Sequence, residues 1–164
     1  MKRKILRYIF LCLVLFISTF IFYMSAKTAG ESNEISGTLL ERILSVVIKD
    51  FAALEESERV AVIAQYHLFI RKAAHFSVFA ALGFSVGGFF ASFDRIKQMQ
   101  IPLFATAYTF LYAVSDEVHQ LFVVGRSGQL TDVLLDTLGG IFGAVIFILF
   151  LKLYYRRLKR YEAK

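Results

Sequence analysis

The residues of this sequence that could do chemistry are concentrated between positions 112 and 136. Acidic, imidazole, amide and guanidinium side chains occur there at Asp116, Glu117, His119, Gln120, Arg126, Asp132 and Asp136. Uncharged apolar runs flank this stretch, and a second cluster with Arg71 and His75 begins another apolar run. Ionisable groups beside or within such runs cost free energy to bury, so they are candidates for a functional site.

Three interpretations of these side chains remain open. The first is a structural network, in which the arginines pair with the acids and hold the helices together. The second is a site for an anionic lipid headgroup, in which Arg71, Lys72 and Arg126 supply charge and bidentate donors to a phosphate. In that site, His75 and His119 could act as acid or base near neutral pH.

The third interpretation is a divalent metal site. Imidazole and carboxylate ligands that suit Zn or Mn are present at His75, Asp116, His119, Asp132 and Asp136. Their spacing matches no common zinc motif such as HExxH. We therefore predict no cofactor and keep a divalent metal as an alternative.

The predicted site is defined by two sets of residues. The predicted binding residues are Arg71, His75, Asp116, Glu117, His119, Gln120, Arg126, Asp132 and Asp136. The candidates for catalytic roles are His75, Asp116, Glu117 and His119. Whether the protein is an enzyme stays open at this point.

Composition indicates a membrane protein of one domain, residues 1–164. Hydrophobic residues make up 57% of the 164 residues, above the 45–50% or so of soluble domains. The net charge of +6 comes from Lys and Arg in blocks beside apolar runs. This pattern is typical of membrane topology signals, and we exclude nucleic acid as a partner because no basic surface with interleaved aromatics is evident.

The elements that must position the site are predicted to be four transmembrane helices in an all-α, polytopic membrane protein. The apolar runs place them at residues 8–26, 66–93, 101–124 and 132–151. The first run has 19 residues, longer than the apolar part of most signal peptides, so we favour a retained helix over a cleaved signal.

Residues 27–65 form the one long polar segment and are predicted to be extracytoplasmic. Apolar residues recur at helical spacing over 38–55, and Thr38 with Glu41 fits a capping box. We predict an amphipathic helix there, either lying on the membrane or packed over the bundle.

The basic residues predict the orientation. With both termini cytoplasmic, twelve of the nineteen Lys and Arg residues lie inside: before the first helix, in the 94–100 loop and in the tail. The two polar clusters and the acids of the fourth helix then converge on the extracytoplasmic face. On that helix Asp132, Asp136, Gly139 and Gly143 share a stripe, and the GxxxG spacing predicts close helix approach.

These motifs resemble the VanZ-like family of bacterial integral membrane proteins. The matching pieces are Arg71-Lys-Ala-Ala-His75-Phe, Leu82-Gly83, Ser115-Asp-Glu-Val-His-Gln120, Gly125-Arg-Ser-Gly128, Asp132 and Asp136-x-x-Gly139-Gly-x-x-Gly143. The resemblance covers about residues 66–151. It implies a multi-pass protein of the cell membrane, in a family named for a member associated with teicoplanin resistance.

The expected function combines the residues with this resemblance. We expect a polar site that binds or acts on a membrane lipid of the cell envelope or a lipid-linked cell-wall intermediate. The alternative is a non-enzymatic envelope protein whose polar cluster only locks the helices or docks a partner.

Overall fold

The structure is a computed structural model that describes residues 2–49 and 51–162, and every regular element in these ranges is helical. The α-helices are α1 (Lys2–Ser25), α2 (Ala29–Val47), α3 (Glu56–Ala91), α4 (Ile101–Gln120) and α5 (Leu130–Glu162). Two short 3-10 turns, Phe51–Ala53 and Gln98–Gln100, precede α3 and α4. The predicted all-α class is confirmed.

Helices α1, α3 and α5 are long and apolar enough to cross a membrane. Large apolar side chains cover the outside of the bundle; Phe16 is 69% exposed and Leu111 is 66% exposed. Helix α4 has 20 residues but is not one of the three, because polar residues such as Asp116 and Glu117 lower its mean hydropathy. The membrane class is therefore supported, and four crossings remain a prediction.

The helix bounds differ from the predicted ones mainly at the ends. Helix α3 starts at Glu56 rather than at 66, and its 36 residues span about 54 Å. Helix α4 ends at Gln120 rather than at 124, and α5 continues to Glu162 rather than ending near 151. The backbone hydrogen bonds of an α-helix do not require apolar side chains, so a helix can continue through charged residues. Hydropathy therefore predicts these helix ends poorly.

Contacts at the two ends show that consecutive long helices run in opposite directions. At one end, the Arg7 guanidinium donates to the Ser92 carbonyl at 3.1 Å and lies 3.9 Å from the Phe93 ring centroid. At the other end, the Ser25 hydroxyl donates to Asp116 at 2.9 Å. We call this second end, where α1 and α4 finish and α5 begins, the site end.

Helices α3 and α5 approach each other along the predicted glycine stripe. A Cβ at Gly143 would overlap the Ala80 carbonyl, and one at Gly139 would press on the Phe76 carbonyl. Gly83 faces the backbone of Gly140 in the same way. The GxxxG prediction is thus confirmed: backbone touches backbone, which no larger residue allows.

Helix α2 is the amphipathic helix predicted in the polar segment, with different bounds. It begins after Thr28, whose hydroxyl caps Glu31 N at 3.3 Å while the Glu31 carboxylate accepts from Thr28 N at 2.8 Å. The hydrogen bond from the Thr28 hydroxyl, and to a smaller extent the one from its backbone N–H, lower the pKa of Glu31. The predicted capping box at Thr38 is wrong: Thr38 lies inside this helix, because the helix begins ten residues earlier at the Thr28 capping box.

Of the two placements predicted for the amphipathic helix, the structure has it packed on α3. Gly37 lies close to Ile63, where an added Cβ would be 3.5 Å from the isoleucine side chain. Leu40 is 3% exposed. The chain after α2 turns at Phe51, which is also buried. Helix α2 thus packs against the part of α3 that precedes Arg71 in the sequence.

The glycine contact yields a matched test. We expect Gly143→Ala to lower the free energy of unfolding by about 1–3 kcal/mol, because the methyl group forces α5 away from α3. The control is Gly30→Ala, where a Cβ meets nothing within 4 Å, and where alanine should be neutral or slightly stabilising. Thermal unfolding in detergent measures both. Equal effects of the two substitutions would contradict the close contact.

Candidate functional site

A cavity of about 240 Å³ lies at the site end, between α3, α4, the loop that follows α4, and α5. Seven of the nine predicted binding residues line it: Arg71, His75, Glu117, Gln120, Arg126, Asp132 and Asp136. Six further residues complete the lining: Leu68, Lys72, Gly125, Ser127, Gln129 and Leu135. The structure therefore brings clusters that are far apart in sequence into one space.

Asp116 lies next to this cavity and is 4% exposed. Its Oδ2 accepts hydrogen bonds from the Ser25 hydroxyl and from Gln120 Nε2, both at 2.9 Å. A buried carboxylate needs such donors, since an unpaired one costs several kcal/mol. These bonds connect α1 to α4 at the site end and fix the direction of the Asp116 side chain.

Glu117 is bound to the loop that follows α4. It is 6% exposed, and its Oε2 accepts from the backbone N–H of Gln129 at 2.8 Å. Gln120 Nε2 also donates to its Oε1 at 3.4 Å. Glu117 thereby anchors the start of α5 to the end of α4, which closes one side of the cavity.

Arg126 holds the end of α1. Its guanidinium donates to the Lys27 carbonyl at 3.1 Å, to the Met24 carbonyl at 3.4 Å and to Gln120 Oε1 at 3.1 Å. Carbonyls at a helix C-terminus lack intrahelical partners and favour a cation. Burial, and then the charge of Arg71, lower the pKa of Arg126, but an arginine remains protonated.

A left-handed turn directs Arg126 toward α1. Gly125 has φ of 76°, a conformation that L side chains rarely adopt, and a Cβ there would lie 3.2 Å from Ala29 Cβ. The glycine of the Gly-Arg motif is therefore required by the backbone.

Arg71 and Lys72 are adjacent but differ in their partners. Lys72 Nζ pairs with Asp132 Oδ1 at 2.6 Å. Arg71 is half-buried and lines the cavity. Within residues 2–49 and 51–162, no hydrogen bond or ion pair engages the Arg71 guanidinium. Among the described residues, Arg71 is therefore a cationic group in the cavity whose donors are free.

His75 and Asp136 face each other across the α3–α5 contact. Their closest atoms, Nδ1 and Oδ2, are 3.6 Å apart, slightly too far for a hydrogen bond. Asp136 is completely buried, and neither of its carboxylate oxygens has a hydrogen-bond partner among the described residues. One imidazole and one unsatisfied carboxylate thus share the deep part of the cavity.

His119 does not join the cavity lining. Its ring stacks on Phe22 of α1, with centroids 4.4 Å apart, and its Nδ1 is buried without a hydrogen-bond partner in the described part of the chain. The predicted arc of Asp116, His119 and Gln120 spans about 100° of the helix, and His119 lies at the edge that faces Phe22 of α1. His119 belongs to the α1–α4 interface.

Two residues that donate hydrogen bonds to the acids of the site were not predicted from the sequence. Ser25 supplies a donor to Asp116, and its only signal was its position at the end of the first apolar run. Gln129 acts through its backbone N–H, which every residue except proline has, so no residue type could reveal it.

Comparison with known proteins identifies a family. The family model described as VanZ/LLP1 matches residues 9–151, which is most of the chain. No curated protein and no solved structure gives a match. The matched range includes residues 9–25 of α1, the whole cavity lining and the glycine stripe. The chain belongs to the VanZ/LLP1 family of membrane proteins.

Proposed function

We propose that this protein binds the phosphate-bearing headgroup of a cell-envelope lipid or lipid-linked cell-wall precursor. The observation that carries the proposal is the free Arg71 guanidinium in the cavity. A planar guanidinium with free donors suits two phosphate oxygens at once. Lys72 adds a second cation, since its side chain is 48% exposed and can exchange Asp132 for a phosphate.

The surroundings of the cavity suit a lipid better than a free ion. Leu68, 54% exposed, forms part of the lining. The loop that follows α4 presents Phe122 and Val124, which are 83% and 79% exposed. Apolar side chains beside a polar cavity let acyl or prenyl chains stay in the membrane while the headgroup enters.

We further propose that the site end faces the extracytoplasmic side, in a multi-pass protein of the cell membrane with four crossings and cytoplasmic termini. Arg7 and the loop with Asp94 lie at the opposite end of the bundle. Basic residues concentrate at that end, as they do on the cytoplasmic side of membrane proteins. Helix α4 crosses with α3 and α5 because its polar residues point inward and its 20 residues span about 30 Å.

The teicoplanin association implied by the family resemblance is part of this proposal. A protein that binds a cell-wall precursor changes how much of it an envelope-directed antibiotic can reach. The second candidate function is a non-enzymatic envelope protein in which the cluster only locks the bundle. The bonds of Asp116 and Arg126 favour such a role for those two residues, whereas Arg71 makes no hydrogen bond or ion pair with another helix in residues 2–49 and 51–162.

The orientation can be tested by reporter fusions. Fusions after residue 30 should report the extracytoplasmic side, and fusions after residues 97 and 164 the cytoplasmic side. A fusion after 97 on the outside would place the cavity in the cytoplasm and contradict the proposal.

Arg71→Gln should weaken binding of a polyprenyl phosphate by about 10- to 100-fold, since a charge-assisted hydrogen bond contributes about 1.5–3 kcal/mol. The measurement is binding of the purified protein to a short-chain polyprenyl phosphate or to phosphatidylglycerol in nanodiscs, against inorganic phosphate. Arg42→Gln is the matched control, because Arg42 is exposed on α2 and does not line the cavity. Equal affinities of wild type and Arg71→Gln would refute the proposal. Equal affinity for inorganic phosphate and for the lipid would contradict a lipid ligand and leave only phosphate binding.

Arg126→Gln should instead destabilise the fold by about 1–3 kcal/mol, because the Met24 and Lys27 carbonyls lose a buried donor. Arg71→Gln should leave the thermal midpoint unchanged. If Arg71→Gln destabilises as much as Arg126→Gln, the locking function is favoured over headgroup binding.

A further inference from the structure

We propose that His75, Asp116 and Asp136 bind one divalent metal ion of the zinc or manganese class. Each offers one ligand atom, and the three atoms lie within 4.8 Å of one another. They come from α3, α4 and α5, so the ion would join three helices at the site end. One imidazole and two carboxylates form a ligand set that such ions accept.

The independent observation is the state of Asp136. Its carboxylate is completely buried, and both oxygens are without a hydrogen-bond donor among the described residues. Buried carboxylates are normally hydrogen-bonded, paired with a cation or bound to a metal. Among the described residues Asp136 accepts no hydrogen bond, and its one basic neighbour within 4 Å is the His75 imidazole, whose Nδ1 lies 3.6 Å from Oδ2 and pairs with it as an ion only when protonated.

The neighbouring candidates are already engaged. Asp132 pairs with Lys72 at 2.6 Å, and Glu117 accepts from Gln129 N at 2.8 Å. His119 stacks on Phe22 away from the cavity. The sequence offered five ligands for a metal, and the structure reduces them to three.

The geometry needs an adjustment of side chains. Metal–ligand distances near 2.0–2.2 Å put the ligand atoms of a tetrahedral ion about 3.3–3.6 Å apart, so ligand atoms that now lie within 4.8 Å of one another must approach by about 1 Å. Asp116 is already oriented, because Ser25 and Gln120 both donate to its Oδ2. Three protein ligands also leave at least one position for water or another oxygen ligand.

Charge balance gives the metal a role in the cavity. The carboxyl groups of Asp116, Glu117, Asp132 and Asp136 outnumber the cations of Arg71, Lys72 and Arg126. A divalent ion reverses that excess, so that an anion can approach without repulsion. The metal site stands on the three ligands alone, and only this link to a headgroup rests on the proposed function.

The test is zinc binding by the purified full-length protein after chelator treatment. Isothermal titration with Zn²⁺ should give one equivalent for wild type. Asp136→Asn should bind about 100-fold more weakly or not at all, since outer-sphere changes alone cost 10–100-fold. Asp132→Asn is the matched control, one turn away on the same helix, and should stay within a few-fold of wild type.

Three results would overturn the metal site: no binding by wild type, equal loss in Asp132→Asn and Asp136→Asn, or unchanged binding in Asp136→Asn. If Asp136→Asn does not fold, zinc-edge X-ray absorption of wild type decides the matter. It should show one imidazole among oxygen ligands, and a spectrum with no imidazole or with several refutes the assignment. Arg71→Gln should keep full zinc affinity, so failure of headgroup binding and failure of metal binding are separable.

Discussion

Burying a carboxylate in an apolar helix bundle costs several kcal/mol unless its oxygens are paired, and the site end is built around that constraint. Asp116 accepts from Ser25 and Gln120, and Gln120 in turn accepts from Arg126. Arg126 then donates to the last carbonyls of α1. This chain of bonds holds α1, α4 and the loop after α4 together, and its members Gln120 and Arg126 line the cavity.

The two sides of the cavity differ in what they lack. Among the described residues, the Arg71 guanidinium has no hydrogen-bond acceptor and the Asp136 carboxylate has no hydrogen-bond donor, although both belong to the same polar cluster. Direct pairing between them would satisfy both groups, yet the structure keeps them apart. A phosphate on the arginine side and a metal ion on the aspartate side would satisfy both, and a phosphate oxygen could then contact the metal.

Hydropathy and spacing were sufficient to predict the helices, the glycine contact and the cluster that lines the cavity, because each depends on residue type and periodicity. Side-chain partners were not predictable. Nothing in the sequence distinguishes Asp132, which pairs with Lys72, from Asp136, which accepts no hydrogen bond among the described residues. The difference is one turn of depth along α5, and depth depends on how helices tilt and dock. The start of α2 was missed because the capping box at Thr28 sets it, whereas the start of α3 at Glu56 has no side-chain cap and lies where α2 packs on α3.

The glycine stripe also sets the distance between the backbones of α3 and α5. Gly139 lies one turn from Asp136 and touches the carbonyl of Phe76, the residue after His75. The separation of the α3 and α5 backbones beside His75 and Asp136 is therefore set by main chain against main chain, in an interior that resists compression. Only rotation of the two side chains can change the distance between imidazole and carboxylate. Whatever binds between them must fit a backbone separation that Gly139 and Gly143 determine.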